Sequence, residues 1–142
     1  MNLPSGSRIA IDFGIERVGI ASSDAIGMIA SPVGSYSRDE VFLKLKDLAS
    51  EHNIVAIYLG LPKHLKGFEG EIAELARGFA YQIQELDIAP IFLVDERLTS
   101  STAQLKKELV GKFGIDAVAA QEILEFALNG ERLSGRFFGE AI

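Results

Sequence analysis

The sequence of 142 residues contains no cysteine, only two histidines and four prolines, and no long hydrophobic run. The absence of cysteine excludes disulfide frameworks, thiolate metal sites and cysteine nucleophiles. Two histidines, His52 and His64, argue against a zinc site with nitrogen ligands. No apolar run approaches the roughly 18 residues of a membrane span, and the first six residues lack the features of a secretory signal. We therefore expect a soluble, cytoplasmic protein.

The formal net charge is −6, from 20 acidic and 14 basic residues. This balance argues against binding nucleic acid by bulk electrostatics, which usually requires a basic face. It does not exclude an enzyme in which divalent cations screen clustered carboxylates from a phosphate substrate. The length and the hydrophobic fraction of 48% predict a single folded domain spanning residues 1–142.

The hydrophobic pattern predicts three strands followed by alternating helices and strands. The predicted strands cover residues 8–13, 18–22, 28–36, 54–61 and 91–94, and the predicted helices cover 38–51, 69–86, 101–109 and 115–128. Pro32 and Gly34 interrupt the third strand, which indicates an edge strand. Asn129-Gly130 resembles a helix C-cap, so residues 131–142 are expected to be a loosely docked tail held only by Phe137 and Phe138.

This order of elements predicts an α/β fold. A three-stranded antiparallel meander followed by parallel strands gives a mixed sheet with helices on both faces. In such sheets ligands bind beyond the carboxyl ends of the parallel strands, so acidic residues near those ends are candidate site residues.

The first candidate is Asp12, near the end of the first strand. Period-2 alternation places Asp12 on the face opposite to Ile11 and Phe13. A carboxylate inside a central strand is costly unless it is paired or binds a metal. A functional role is therefore favoured over that of a turn-forming aspartate.

The second candidate is one of two adjacent acids, Asp95 and Glu96, which follow the strand 91–94. Adjacent strand residues point to opposite faces, so only one of them can enter a given site. The pattern does not choose between them. A local ion pair with Arg97 is an equally good explanation of either acid.

The third candidate, Asp116, opens the last predicted helix, where aspartate is a common cap that favours the helix dipole. It also belongs to a helical stripe of mostly small residues, made of Ala119, Ala120, Ile123 and Ala127. Such a stripe allows the helix to approach the sheet closely and would carry Asp116 to the sheet surface. The stripe favours a role in the site.

Two or three carboxylates that converge from separate elements form a hard-oxygen site suited to Mg²⁺ or Mn²⁺. Two such ions can activate water and stabilise the leaving oxygen in phosphodiester cleavage. The sequence contains neither a P-loop nor a Gly-x-Ser-x-Gly elbow, so P-loop and α/β-hydrolase chemistries have no support.

Four motifs extend this interpretation across residues 8–128. In chain order they are Ile11-Asp12-Phe13-Gly14 with Arg17-Val18-Gly19-Ile20-Ala21 and Ser23-Asp24; Gly60-Leu61-Pro62 with Gly67-Phe68-Glu69-Gly70; Val94-Asp95-Glu96-Arg97-Leu98-Thr99; and Ile115-Asp116-Ala117-Val118-Ala119-Ala120-Gln121. With these motifs the chain resembles the YqgF (RuvX) family, described as Holliday-junction resolvases and as pre-16S rRNA processing nucleases. The resemblance implies an RNase H-like fold and a metal-dependent endonuclease that acts on structured nucleic acid.

Carried over residue by residue, the resemblance implies that Asp12, Glu96 and Asp116 are the catalytic and metal-binding acids. We also expect a narrow basic rim that contacts nucleic acid. Its members would be Arg17, Lys63, Lys66, Arg97, Lys106, Lys107 and Lys112. For Arg17 and Arg97, pairing with Asp24 or Asp95 is an equally good alternative.

The chain departs from the family pattern at two places. His64 stands where the family usually has asparagine, which puts a nucleic-acid contact of that loop in doubt. The segment 110–114, before the last helix, is less basic than is usual in the family. Fewer cations predict weaker and less salt-dependent binding to nucleic acid.

Two other function classes deserve comparison with a nuclease. A non-cleaving nucleic-acid-binding or ribosome-assembly factor on the same fold is compatible with the thin basic rim, and metal dependence would separate it from a nuclease. The first hairpin of an actin-like or sugar-kinase ATPase also begins with Asp-x-Gly. That architecture requires two such domains around a nucleotide, whereas 142 residues supply one, so this class is rejected. The oligomeric state, monomer or homodimer, and the choice between RNA and DNA stay open.

Overall fold

The computed structural model describes residues 3–62, 70–98 and 107–142, and it describes residues 98 and 107 by their backbone alone. The strands are β1 Ser7–Phe13, β2 Arg17–Ser23, β3 Ala30–Ser37, β4 Ile54–Leu61, β5 Ile91–Asp95 and β6 Glu140–Ala141. The helices are α1 Glu40–Glu51, α2 Glu71–Gln84, α3 Lys107–Phe113 and α4 Ile115–Ser134, with a 3-10 turn at Glu96–Leu98. The five predicted strands are confirmed, with ends shifted by no more than two residues.

The six strands form one sheet in the order β3-β2-β1-β4-β5-β6. The pairs β1–β2, β2–β3 and β5–β6 are antiparallel, whereas β1–β4 and β4–β5 are parallel. The strand β3 lies at the edge, as Pro32 predicted, because proline lacks the N–H that an inner strand must donate. The nearly continuous apolar sequence of β4 fits a central strand that is covered on both faces.

Helices cover both faces of the sheet, as expected. On one face α1 and α2 pack on a core that includes Ile9, Ile11 and Phe13 of β1. On the other face α4 packs on Ala10 and on residues of β4 and β5. We call this second face the α4 face, and the alternation along β1 places Asp12 on it.

Two predicted helix ends are wrong. The helix expected to end near residue 109 continues to Phe113, and its predicted start at 101 lies outside the described residues. The last helix does not end at Asn129-Gly130. It continues to Ser134 and ends at Gly135, whose φ of 72° is the left-handed conformation that glycine favours.

A buried group of charged and polar side chains explains why α4 continues beyond Asn129-Gly130. Glu131, expected in a loose tail, lies on α4 and is only 5% exposed. Its carboxylate accepts hydrogen bonds from the Arg8 guanidinium, with Nη2 at 2.9 Å, and from the Tyr58 hydroxyl at 2.5 Å. We call Arg8, Tyr58 and Glu131 the ion-pair cluster. Gly130 serves packing rather than capping, because a Cβ there would collide with the Phe138 ring.

The chain after α4 is attached to the sheet by more contacts than the expected pair of phenylalanines. Phe137 and Phe138 do pack against the core of the α4 face, as predicted. The backbone N–H of Phe138 also donates to the Tyr58 hydroxyl at 3.1 Å. Residues Glu140–Ala141 then add the unpredicted strand β6 beside β5. Among the described residues, no helix is long and apolar enough to cross a membrane.

Candidate active site

A row of directly paired residues crosses five strands on the α4 face. Along this row Asp12 of β1 pairs with Gly19 of β2 on one side and with Gly60 of β4 on the other. Gly19 pairs in turn with Ser35 of β3, and Gly60 pairs with Val94 of β5. Directly paired residues point to the same face of a sheet. Asp12 therefore has no side chain beside it on either neighbouring strand.

Gly60 leaves the space that the Glu96 side chain occupies. A Cβ at Gly60 would lie 2.7 Å from Glu96 Oε1 and 2.5 Å from Ile123 Cδ1 of α4. The Glu96 carboxyl is hydrogen-bonded to the carboxyl of Asp12. Gly60 and Glu96 lie at the carboxyl ends of the parallel strands β4 and β5, the edge where the sequence predicted a site.

Gly19 leaves the space for the first turn of α4. A Cβ at Gly19 would collide with the backbone carbonyl of Asp116. The small residues Ala117, Ala120 and Ala127 of α4 are fully buried, whereas Ala119 of the predicted stripe is only partly buried. Asp116 is not the cap of this helix: the N-cap is Gly114, and Asp116 lies in the first turn. The predicted stripe does carry Asp116 to the sheet, next to Asp12.

The three predicted acids, Asp12, Glu96 and Asp116, therefore converge, and Glu122 of α4 adds a fourth negative charge. Burial is the largest cause that raises the pKa of Asp12 from 3.8 to about 9, and the hydrogen bond with Glu96 and the charges of Glu96, Asp116 and Glu122 contribute to the same shift. We call these four residues the acid cluster. With its pKa raised to about 9, Asp12 retains its proton at neutral pH and can donate it in the hydrogen bond with Glu96.

The structure distinguishes the two adjacent acids after β5. Asp95 pairs with Leu61 of β4, whose side chain lies in the core of the other face. The Asp95 carboxylate accepts hydrogen bonds from the Arg97 guanidinium, the shortest of 2.6 Å from Nη2. Glu96 is thus the acid that meets Asp12, and the local ion pair suggested as an alternative belongs to Asp95.

The basic residues of the expected rim have different surroundings. Arg97 is paired with Asp95, as the alternative proposed. Arg17 does not pair with Asp24, whose carboxylate instead accepts hydrogen bonds from the N–H groups of Met28 and Ile29. Exposed Lys112 lies over the ring of Phe113, with Nζ 5.2 Å from the ring centroid. The remaining rim members Lys63, Lys66 and Lys106, the side chain of Lys107, and His64 lie outside the described residues.

Arg17 contacts the row through Ser35. Its Nη2 donates to the Ser35 carbonyl at 2.6 Å, and its Nε donates to the Ser35 hydroxyl at 3.3 Å. The same hydroxyl donates to Asp116 Oδ2 at 3.2 Å. A chain of hydrogen bonds thus links an exposed cation to an acid of the cluster.

Sequence reasoning missed Ser35, Glu122 and the role of the two glycines. A signal for the glycines was present, because glycine inside a strand often marks the close approach of another chain segment. Within the described residues, no group of three or more His, Asp and Glu side chains has the arrangement of a ready-made metal site. Asp12 and Glu96 are hydrogen-bonded to each other, and Asp116 is hydrogen-bonded to Ser35.

Comparison with known proteins gives a consistent family assignment. The family model for RuvX, described as Holliday junction resolvase, matches residues 6–130. Curated relatives named "Putative pre-16S rRNA nuclease" include proteins of Streptomyces avermitilis, 38% identical over 100% of this chain and 97% of the relative, and of Mycobacteroides abscessus, 37% identical over 92% and 85%. A relative of the same name from Thiobacillus denitrificans is 37% identical over 84% of this chain and 89% of its own.

The solved structures show the fold. Thermus thermophilus RuvC superimposes with a TM-score of 0.57, covering 96% of this chain and 99% of that one, at 11% identity. RuvC of the same species in complex with a Holliday junction substrate gives the same TM-score at 9% identity. The fold is therefore RNase H-like, as the sequence motifs implied.

Proposed function

The chain belongs to the RuvX family of nucleases, which hydrolyse phosphodiester bonds, and we propose its specific activity from that premise. We propose that it is a divalent-cation-dependent endonuclease that acts on precursor 16S rRNA. The proposed catalytic and metal-binding acids are Asp12, Glu96 and Asp116. The observation that carries the proposal is the convergence of these acids around one central strand position. A precursor rRNA substrate would place the protein in the cytoplasm.

The donor set fits a hard divalent cation. All the charged groups that raise the pKa of Asp12 are carboxylates, so the cluster gathers negative charge on the α4 face of the sheet. The proton that Asp12 retains at neutral pH compensates part of that charge. A cation bound by the same oxygens would compensate it more fully, and carboxylate oxygens are the ligands that Mg²⁺ and Mn²⁺ prefer.

When bound, the cation would lower the pKa of an attacking water molecule and stabilise the negative charge on the leaving oxygen. The residues of the chain have distinct tasks around it. Asp12 offers a rigid carboxylate, because its strand is paired on both sides. Glu96 reaches the cluster from the turn after β5, and Asp116 reaches it from α4, so three separate elements fix the three carboxylates.

The choice of precursor rRNA follows the names of the curated relatives, which match nearly the whole chain. The family description and the likeness to RuvC favour a second candidate, a four-way DNA junction. The acid cluster suits either substrate, because both present the same phosphodiester group. The contacts that would discriminate between them belong to the surrounding surface.

A cleavage assay on both substrates tests the proposal. Precursor 16S rRNA and a four-way DNA junction are each incubated with the parent, Asp12→Asn and Asp47→Asn, in Mg²⁺ and in EDTA. Asp47 is an exposed aspartate on α1, on the opposite face, and provides the same chemical change as a control. We expect Mg²⁺-dependent cleavage of the rRNA by the parent and the control. We expect a loss of at least about 100-fold in Asp12→Asn, more than removal of a residue that supports a ligand usually causes.

Three results would contradict the proposal in different ways. Full cleavage by a folded Asp12→Asn protein would remove the site assignment. Cleavage of the junction alone would replace RNA by DNA as the substrate. Binding of rRNA without cleavage by the parent, unaffected by EDTA, would establish the non-cleaving assembly factor instead.

A further inference from the structure

We propose that Ser35 is a positioning residue that holds the Asp116 carboxylate in the acid cluster and ties it to Arg17. The inference deepens the proposed nuclease function and rests on it. Ser35 lies on an edge strand and belongs to none of the acidic or basic groups that the sequence singled out. Its place in the row beside Gly19 is what connects it to the site.

The hydrogen bonds at Ser35 have a direction. The hydroxyl accepts from Arg17 Nε and donates its single proton to Asp116 Oδ2. A hydroxyl has one donor and two acceptor positions, so donation to Asp116 and acceptance from Arg17 are compatible. The Arg17 bond fixes the orientation of the hydroxyl, because the cation occupies its acceptor side.

The backbone holds both ends of this connection. Ser35 is paired with Gly19, and the Asp116 carbonyl lies against Gly19, so Ser35 and Asp116 approach across a position without a side chain. Gly114, the N-cap of α4, has a φ of 93° and its Cβ position lies 3.6 Å from Ser35 Cβ. The start of α4 therefore rests on both members of the β2–β3 pair.

This arrangement places Asp116 where the cluster needs it. The side chain of Asp116 is only partly buried, so without a partner its carboxylate is free to turn towards solvent. The Ser35 hydroxyl selects the conformation that stays over the sheet. Residues that orient metal ligands in this way usually change metal affinity or activity by about 10–100-fold when they are removed.

The purely structural alternative makes a different prediction. Ser35 is partly exposed on an edge strand, so water can replace its hydrogen bonds and the fold should tolerate its loss. A structural serine would change stability without changing cation affinity. A positioning serine would change cation affinity with little change in stability.

The test compares Ser35→Ala and Ser35→Thr with Ser31→Ala, which makes the same change at an exposed position of the same strand. Threonine keeps the hydroxyl and suits a strand. Binding of Mn²⁺ is measured from the signal of the free ion by electron paramagnetic resonance, and the melting temperature is measured in EDTA. We expect Ser35→Ala to bind Mn²⁺ about tenfold more weakly, whereas Ser35→Thr and Ser31→Ala resemble the parent. In the cleavage assay kcat should fall in Ser35→Ala while KM for the nucleic acid stays unchanged.

A Ser35→Ala protein that binds Mn²⁺ and cleaves like Ser31→Ala would overturn the inference. A raised KM with an unchanged kcat would also overturn it, because Ser35 would then serve substrate binding through Arg17. A crystal structure of cation-free Ser35→Ala tests whether Ser35 positions Asp116, even if the parent protein neither binds Mn²⁺ nor cleaves nucleic acid. In that structure an Asp116 side chain turned away from Asp12 supports the inference, and an unmoved side chain refutes it. Failure of the parent would thus refute the proposed function separately.

Discussion

The two ends of α4 cover the same face of the sheet but differ in the charges that they bring together. Near its C-terminal end, Glu131 meets Arg8 of β1. Near its N-terminal end, Asp116 meets Asp12, four residues further along the same strand. The ion-pair cluster thus joins a cation to an anion, whereas the acid cluster joins anions to one another.

The hydrogen bonds at the two ends of α4 show the same contrast between paired opposite charges and neighbouring acids. In the ion-pair cluster, the guanidinium donates to both Glu131 oxygens and to the Gly6 carbonyl, and the Tyr58 hydroxyl donates to the same carboxylate. Burial and this bond to Glu131 hold the pKa of Tyr58 above its usual value, so it stays a donor. In the acid cluster, the direct contact between carboxyl groups requires a proton.

This difference indicates a structural role for the ion-pair cluster and fits the functional role that we propose for the acid cluster. Removing one partner of a buried ion pair strongly destabilises the folded state, because the other charge stays buried without compensation. Charges that repel in the native state lower its stability and are retained at sites where function requires them. Substitutions at the two ends of one helix should therefore change stability in opposite directions.

The largest effect is expected from Glu131→Ala. Removal of the carboxylate leaves Arg8 buried without its partner, which should destabilise the protein by about 3–5 kcal/mol in urea denaturation. The control is Glu140→Ala, which removes the exposed pair with Arg77 and should cost only about 0.2–1 kcal/mol. Equal losses in the two variants would show that the ion-pair cluster does not stabilise α4.

Asp12→Asn should stabilise the cation-free protein, the opposite of the effect expected for Glu131→Ala. Near neutral pH Asp12 must take up a proton on folding, because burial and the neighbouring carboxylates disfavour its charge in the native state. Asparagine is neutral in both states, so in EDTA the melting temperature should rise by several degrees, about 1 kcal/mol being worth roughly 2–8 °C in small domains. Mg²⁺ should stabilise the parent more than the variant, because only a ligand that favours the native state raises stability. A lower melting temperature in EDTA, with equal Mg²⁺ responses, would make Asp12 a structural residue.

The pH dependence sharpens the same contrast. The folded pKa of Asp12, about 9, lies above its ordinary value of 3.8, so between these values the native state binds a proton that the unfolded chain has released. In EDTA this group should therefore lower stability as the pH rises from about 4 to about 9, by at most about 1.4 kcal/mol per pH unit. Urea denaturation across this range should show a slope in the parent and in Asp47→Asn that is largely absent from Asp12→Asn. Identical slopes in all three would contradict the raised pKa.

The smallest effect is expected from Asp116→Asn. Relief of repulsion in the acid cluster is opposed by loss of a negative charge in the first turn of α4, which is worth about 0.3–1 kcal/mol. The net change in EDTA should stay within about 1 kcal/mol by urea denaturation, while Mg²⁺-dependent cleavage is lost. A stabilisation as large as that of Asp12→Asn would mean that the helix charge contributes nothing.

Much of the fold follows from local pattern. The alternation along residues 8–13 placed Asp12 on the correct face, and the spacing of small residues after Asp116 placed that acid against the sheet. Both depend on the period of a single element, which the sequence carries directly. The end of α4 shows the limit of such reasoning, because Asn129-Gly130 has the composition of a cap although the helix continues through a distant contact with Arg8.

The candidate site was only partly contained in the sequence. By itself the sequence determined the strands β1 to β5, the approximate positions of the helices, the face on which Asp12 lies, and the four motifs that carry the family resemblance. The strand pattern left Asp95 and Glu96 open and the resemblance implied Glu96, but only the tertiary structure brought Glu96 to Asp12 and paired Asp95 with Arg97. Only the tertiary structure also placed Gly19 and Gly60 beside Asp12 and brought Ser35 to Asp116. The physical reason is register: the pairing of strands far apart in the chain is decided by packing of the whole sheet, and the periodicity of one strand does not specify which residue lies opposite.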